Sequence, residues 1–187
     1  VRETVDRLGG LDIIVHCAAY VGTTQEEGWT VPLEQQTADA FSVALHVNLT
    51  SAFIIVQEAR GALSVSSQGS VILFGSIYGI VSPDFSIYDQ TSMTNAVGYG
   101  CSKGGLLQLM RYLSSTLAPE VRVNMISPGG VERGQLAQFR SRYYERTPMK
   151  RMATEEDMKG AVAYLASDMS AYVTGHNLIV DGGWTVW

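Results

Sequence analysis

Four short apolar runs divide this chain, and stretches of helical character separate them. The runs are residues 11–17 (LDIIVHC), 70–74 (SVILF), 121–126 (VRVNMI) and 178–180 (LIV). Turn residues bound them: Gly9-Gly10 precedes the first, Ser127-Pro128-Gly129-Gly130 closes the third, and Asp181-Gly182-Gly183 closes the last. Runs that are short and continuously apolar suit strands buried on both faces. Residues 37–62 place Phe41, Leu45, Asn48, Leu49, Ala52 and Ile55 near one helical face. Residues 99–117, 134–146 and 154–167 also read as helices, the last opened by Thr154 with Asp157 three positions on, a capping-box variant. Strands alternating with helices make βαβ units, so the expected fold is α/β, a doubly wound parallel sheet with helices on both faces. No repeat or linker interrupts the pattern, and residues 1–187 are expected to form a single domain. Ligands of such sheets sit beyond the carboxyl ends of the strands. Ser76 follows the second run and Pro128-Gly129 the third, which makes both candidate site positions.

Composition narrows the function classes. Hydrophobic residues make up 46% of the chain and charged residues 17%, enough apolar material for a large core. The net charge is −5 and no basic patch stands out, so neither nucleic acid nor an anionic membrane surface is an expected partner. The longest apolar runs, such as 51–56, are too short to span a bilayer. Residues 1–10 are charged and polar, unlike a secretory signal. Cys17 and Cys101 make no disulfide framework. These features point to the cytoplasm. The chain opens at Val1 in what reads as the middle of a helix, as a processed or partial sequence would.

The chemistry concentrates in Tyr99-Gly100-Cys101-Ser102-Lys103. Tyr and Lys four residues apart share a helix face. A cation near a phenol favours the phenolate, and a Tyr so tuned serves as general acid or base near neutral pH. Ser76, just past a strand, offers a hydroxyl for a carbonyl. Asn48 sits mid-helix, where its propensity is poor. Taken alone, Ser76 is equally a loop serine and Asn48 a hydrogen-bonded core residue.

The order of motifs carries more than any one of them. It runs His16-Cys17-Ala18-Ala19, Val47-Asn48-Leu49, Val71 to Ser76 (VILFGS), Tyr99-x-x-Ser102-Lys103, Arg122 to Gly129 (RVNMISPG) and Val173 to Gly183 (VTGHNLIVDGG). From end to end this resembles the classical short-chain dehydrogenase/reductase family. The resemblance implies a Rossmann-like fold and a nicotinamide cofactor, NAD or NADP. Tyr99 would exchange a proton with the substrate oxygen. Lys103 would lower the Tyr99 pKa and bind the nicotinamide ribose. Ser76 would orient the carbonyl or alcohol, and Asn48 would hold a water linking Lys103 to solvent. Cys17, Ala18 and Ala19 would pass the adenine ribose, while Pro128, Gly129 and Val131 would flank the nicotinamide. The family also pairs subunits through the helices near Asn48 and Tyr99 and through the last strand, so a homodimer or homotetramer is expected.

The chain departs from the family pattern in four places. It has no G-x-G-x-x-G turn, since Lys103 occupies the last glycine position after Gly98-Tyr99-Gly100. Two βαβ units of roughly 30 residues each would supply that turn, so the N-terminal βαβαβ half is expected to be largely absent from residues 1–187. His16-Cys17-Ala18-Ala19 replaces the usual Asn-Asn-Ala-Gly, and His16 reads as structural. Residues 82–95 form an insertion between Ser76 and Tyr99, read either as a substrate-side loop suited to a polyhydroxylated ligand or as a surface feature. Tyr88 within it competes for the catalytic role but has Ser92, not Lys, four residues on. Arg133 stands where a Thr is common. It and Arg140, Arg142, Arg146, Lys150 and Arg151 would face an anionic substrate such as a nucleotide sugar, or remain solvated charges. Ile77, Tyr88 and Arg133 are the candidate substrate contacts. No metal-ligand spacing is present. The Gly75 to Gly79 run is similar to members linked to flagellin and surface-polysaccharide modification. The expected function is hydride transfer between a nicotinamide and a secondary alcohol or carbonyl of a small molecule, a sugar derivative among the options. The alternative is a non-catalytic relic or binding subunit that keeps the scaffold without the cofactor half.

Overall fold

A computed structural model describes residues 1–21 and 26–187. Residues 20–32 read from the sequence as a polar loop containing Gly and Pro, and residues 22–25 of it lie outside the described residues. The elements run α1 (Arg2–Leu8), β1 (Ile13–His16), α2 (Ala38–Leu45), α3 (Ser51–Val65), β2 (Gly69–Phe74), α4 (Val97–Leu117), β3 (Val121–Pro128), α5 (Ala137–Arg146), α6 (Glu156–Ala166) and β4 (Asn177–Val180). The four described strands form one parallel sheet in the order β1-β2-β3-β4. This is the Rossmann-like arrangement expected from the alternating pattern.

Helices cover both faces. Ala52, Val56 and Leu63 of α3 and Leu106 and Met110 of α4 pack on Val71, Leu73, Val121, Val123 and Met125. Met158 and Leu165 of α6 pack on Ile72 and Ile126 from the other side. Strand side chains alternate between faces, so β2 and β3 are buried at nearly every position, and their buried polar residues Ser70, Asn124 and Ser127 are each hydrogen-bonded. That second layer does not reach β1, where Ile13 and Val15 are 38% and 40% exposed.

Two sequence expectations change here. First, α2 and α3 are joined by a single π-helical turn, His46–Thr50, into one continuous run. The buried face is Ala40, Ala44, Asn48, Ala52 and Val56, each four residues from the last, and not Phe41, Leu45 and Ile55. A regular helix drifts off such a spacing, and the wider π turn restores it while rotating the face by one position. The continuous helix Ala38–Val65 is also long and apolar enough to cross a membrane by length and composition, unlike the short runs read from the sequence. One side of it is nonetheless core of the sheet. Second, Thr154 does not cap α6. The cap position is Glu155, and Asp157 reaches back to accept from the Thr154 N–H at 2.7 Å and from its hydroxyl at 2.9 Å. Half of the expected box forms, because Thr154 spends its hydroxyl as a donor.

Candidate active site

The carboxyl ends of β1, β2 and β3 open into a cleft of about 660 Å³. Eleven residues singled out in the sequence line it: Cys17, Ala19, Ser76, Ile77, Tyr88, Tyr99, Lys103, Pro128, Gly129, Val131 and Arg133. Ala18 and Asn48 do not. Ala18 is exposed in the loop after β1. Asn48 is fully buried behind the wall.

Each central residue is placed by a nameable contact. Ser76 ends the β2 segment, and its hydroxyl caps a short turn, Ile77–Gly79, by accepting from the Tyr78 N–H at 3.1 Å. That turn presses on α4 so closely that a Cβ at Gly79 would lie 2.6 Å from the Lys103 carbonyl carbon. The contact brings the Ser76 hydroxyl near enough to the Tyr99 phenol to oppose the upward shift that burial imposes on it. Lys103 is 2% exposed, donates to the Phe74 carbonyl at 2.9 Å, and lies 5.8 Å from the centre of the Tyr99 ring.

The electrostatics differ from the sequence expectation. Burial pushes the Tyr99 phenol above its ordinary range, and the nearby Ser76 hydroxyl only opposes this. Burial also pulls Lys103 down to about 8, with Cys17 acting the other way. The expected lowering of Tyr99 by Lys103 is therefore absent here. Desolvation acts on both groups and disfavours both charged forms.

Asn48 does not reach Lys103 through its side chain. Its Oδ1 accepts from the Tyr20 N–H at 2.5 Å, and its Nδ2 donates to the Tyr20 carbonyl at 3.2 Å and the Ser102 hydroxyl at 2.9 Å. It ties the loop after β1 to the catalytic face of α4. His16 is structural in the same sense, with Nε2 3.0 Å from the Ser51 hydroxyl. Its pKa is held down by burial first and then by the Lys103 charge.

The basic cluster does not face the cleft. Arg140 pairs with Glu132, Arg146 with Asp84 and Arg151 with Asp157. Arg142 donates to the Asp89 carbonyl, and Lys150 donates to the Glu145 carbonyl at 2.8 Å. Arg142 and Arg146 tie α5 to the insertion, and none of the five lines the cavity. Arg133 does line it, but its guanidinium is 3.0 Å from Glu155 and largely exposed.

The insertion packs instead of trailing outward. Tyr88 lies against Phe139, with ring centres 5.2 Å apart, Phe139 meets Tyr143, and Tyr143 stacks on Trp184 at 4.3 Å. Sequence reasoning missed Phe139, Tyr143, Trp29 and Met152 as cleft residues. They lie on segments distant in sequence, with no local motif to single them out. The π turn did leave a signal, namely the unbroken four-residue spacing from Ala40 to Val56. Among the described residues no group of three or more His, Cys, Asp or Glu is placed to hold a metal ion.

Parallel strands with Ser76, Tyr99 and Lys103 gathered at their carboxyl ends define a Rossmann-like scaffold with its cleft at the expected end of the sheet. The chain belongs to the short-chain dehydrogenase/reductase family: the family model described as enoyl-(acyl carrier protein) reductase matches residues 1–185. It is 34% identical to D-arabinitol 2-dehydrogenase [ribulose-forming] of Candida tropicalis over 166 residues, covering 83% of this chain and 56% of that protein. It is 32% identical to post-translational flagellin modification protein A of Campylobacter coli over 142 residues, covering 75% of this chain and 56% of that protein. A crystal structure of a short chain dehydrogenase from Leptospira borgpetersenii with bound NAD+ superposes with a TM-score of 0.86 at 34% identity, covering 98% of this chain and 68% of that one. The chain thus spans little more than half the length of these two curated relatives.

Proposed function

We propose that the protein is an NAD(P)-dependent oxidoreductase acting on a secondary alcohol or carbonyl of a small molecule. The observation that carries this is the meeting of Ser76, Tyr99 and Lys103 in one cleft with Pro128, Gly129 and Val131 on its wall. The nicotinamide end of a dinucleotide fits these residues. An ammonium has three N–H donors and Lys103 spends one on Phe74, so two remain for ribose hydroxyls. When bound, the cofactor supplies or accepts the hydride. The protein's own work is positional and protonic. Ser76 holds the substrate oxygen beside Tyr99, and the Tyr99 hydroxyl gives that oxygen a proton in reduction or takes one in oxidation. Burial keeps Tyr99 protonated in the free protein, which suits the donor role.

We infer further that the phosphate and adenine contacts belong to βαβ units outside residues 1–187, a reading supported by the 56% span of the curated relatives. Exposed Phe53, Ile54 and Ile55 on α3, and Val186 and Trp187 at the last described residues, support homo-oligomer formation through the expected faces. A cytoplasmic location fits the composition. The ribulose-forming arabinitol dehydrogenase among its relatives favours a polyol or sugar derivative over an apolar ketone. The non-catalytic alternative is disfavoured because a bare scaffold has no use for a buried lysine aimed at a cleft.

The test is direct. The intact native protein is mixed with NAD+ or NADP+ and a panel of secondary alcohols, and absorbance at the reduced nicotinamide band is followed. Turnover with wild type and none with Tyr99→Phe supports the reading. Turnover that survives Tyr99→Phe sinks it.

A further inference from the structure

A side chain of α5 holds the turn that follows β3, residues 128–131. Tyr143 is buried, and its hydroxyl accepts from the Gly130 N–H at 2.5 Å. The approach is so close that neither glycine of the turn has room for a side chain. A Cβ at Gly130 would lie 2.8 Å from the Tyr143 Cζ, and one at Gly129 would lie 2.9 Å from the Asp181 Cα and 3.0 Å from the Tyr143 hydroxyl oxygen. The Tyr143 ring stacks on Trp184 with centres 4.3 Å apart, which fixes the direction from which the hydroxyl arrives.

The other bonds of the turn are of a different kind. The Gly129 N–H donates to the Val180 carbonyl at 2.9 Å and the Ala153 N–H to the Gly130 carbonyl at 2.8 Å, backbone bonds that no side-chain substitution removes. Gln135 donates to the Val131 carbonyl at 2.8 Å, but it belongs to the same loop, four residues on. Tyr143 is therefore the side chain that ties the turn to another element. The turn carries Pro128, Gly129 and Val131 to the wall of the cleft. Glu132 spends its N–H on the Ala153 carbonyl at 2.8 Å, whereas the Val131 N–H forms no bond with a described residue. The wall's uncommitted backbone donor thus lies next to the residue that Tyr143 holds.

We propose that Tyr143 is a positioning residue for the nicotinamide end of the cofactor: its hydroxyl sets the place of the turn, and with it the affinity for that end alone. This rests on the dehydrogenase reading above. A buried N–H without an acceptor is costly, so without the hydroxyl the turn shifts until Gly130 finds another partner, and the wall shifts with it.

The experiment uses calorimetry on the intact native protein to compare NADH with ADP-ribose, which keeps the adenine, ribose and phosphate groups and lacks the nicotinamide. NADPH and its counterpart without nicotinamide replace them where NADP is preferred. Tyr143→Phe keeps the ring and its stack on Trp184 and loses only the acceptor. It is expected to raise the Kd of NADH roughly three- to tenfold and to leave that of ADP-ribose within about twofold. Gly130→Ala reaches the same bond from the other side, because its methyl group would displace Tyr143, and the same split is expected there even where the first variant fails to fold. A merely structural role would weaken both ligands alike or neither, and either result overturns the proposal, as does a failure of both variants to fold. A wild type that binds NADH while the variants show no split overturns this inference alone. A wild type that binds neither the dinucleotides nor their counterparts overturns the dehydrogenase reading with it.

Discussion

The Lys103 ammonium stands 5.8 Å from the centre of the Tyr99 ring and donates to the Phe74 carbonyl at 2.9 Å. The two residues share a helix face, as their spacing requires, yet the lysine is anchored to the end of β2 and not to the phenol. The site holds its cation in place through the sheet, and Ser76, not the lysine, acts electrostatically on the phenol. The helix sets which groups meet, and the strand sets how far apart they stay.

Removing the phenol oxygen tests the proton role. Tyr99→Phe keeps the ring and its packing, so the melting temperature should stay close to wild type. Loss of general acid-base chemistry should lower kcat/KM by about 10²- to 10⁴-fold. Stopped-flow or steady-state nicotinamide absorbance measures it, with circular dichroism as the folding control.

Burial of Lys103 gives a pH signature in stability. Its folded pKa is about 8, below the ordinary 10.5, so between those values the unfolded chain binds more protons than the folded one. Stability from this group is therefore full above pH 10.5 and is lost as the pH falls through 8. The displacement corresponds to about 3 kcal/mol. Relative to Lys103→Met, the unfolding free energy of wild type should climb from pH 8 to 10.5 and be level below 8. Urea unfolding of both proteins across that range checks it, and parallel curves would contradict the burial argument.

Asn48 should matter to folding as well as to the site. Asn48→Ala leaves the Tyr20 N–H and carbonyl and the Ser102 hydroxyl without their partner. Unmade buried bonds cost about 1–3 kcal/mol each, so a loss of about 2–4 kcal/mol is expected after partial rearrangement. Tyr20 packs edge-on against Trp29 at 4.7 Å, so Trp29 emission should shift to the red. A loss below about 1 kcal/mol would mean that the loop after β1 is held by something else.

Arg133 gives the opposite expectation. Its pair with Glu155 is exposed, and exposed pairs contribute about 0–1 kcal/mol. Arg133→Ala should barely change the melting temperature, and KM for a neutral alcohol should stay within about threefold, far short of the roughly tenfold that a charge-assisted substrate bond supplies. A large rise in KM for a phosphorylated or carboxylated alcohol, with none for the neutral one, would restore the anionic-substrate reading.

Much of this molecule was written locally. The short apolar runs marked four strands with helices between them, because strands packed under helices bury most of their side chains, as β2 and β3 do on both faces. The Tyr99 and Lys103 spacing fixed a shared helix face, and the position of Ser76 after β2 fixed which end of the sheet would carry chemistry. Tertiary structure decided the rest. Asn48 became a buried clamp because a π turn rotated its helix. Arg142 and Arg146 of α5 turned to the Asp89 carbonyl and Asp84 because the insertion packs there, and Arg140 and Arg151 turned to Glu132 and Asp157. Tyr88 met Tyr78 and Phe139 because the insertion packs there too. The balance between Lys103 and Tyr99 was settled by desolvation, a property of everything packed around a group and not of its neighbours along the chain.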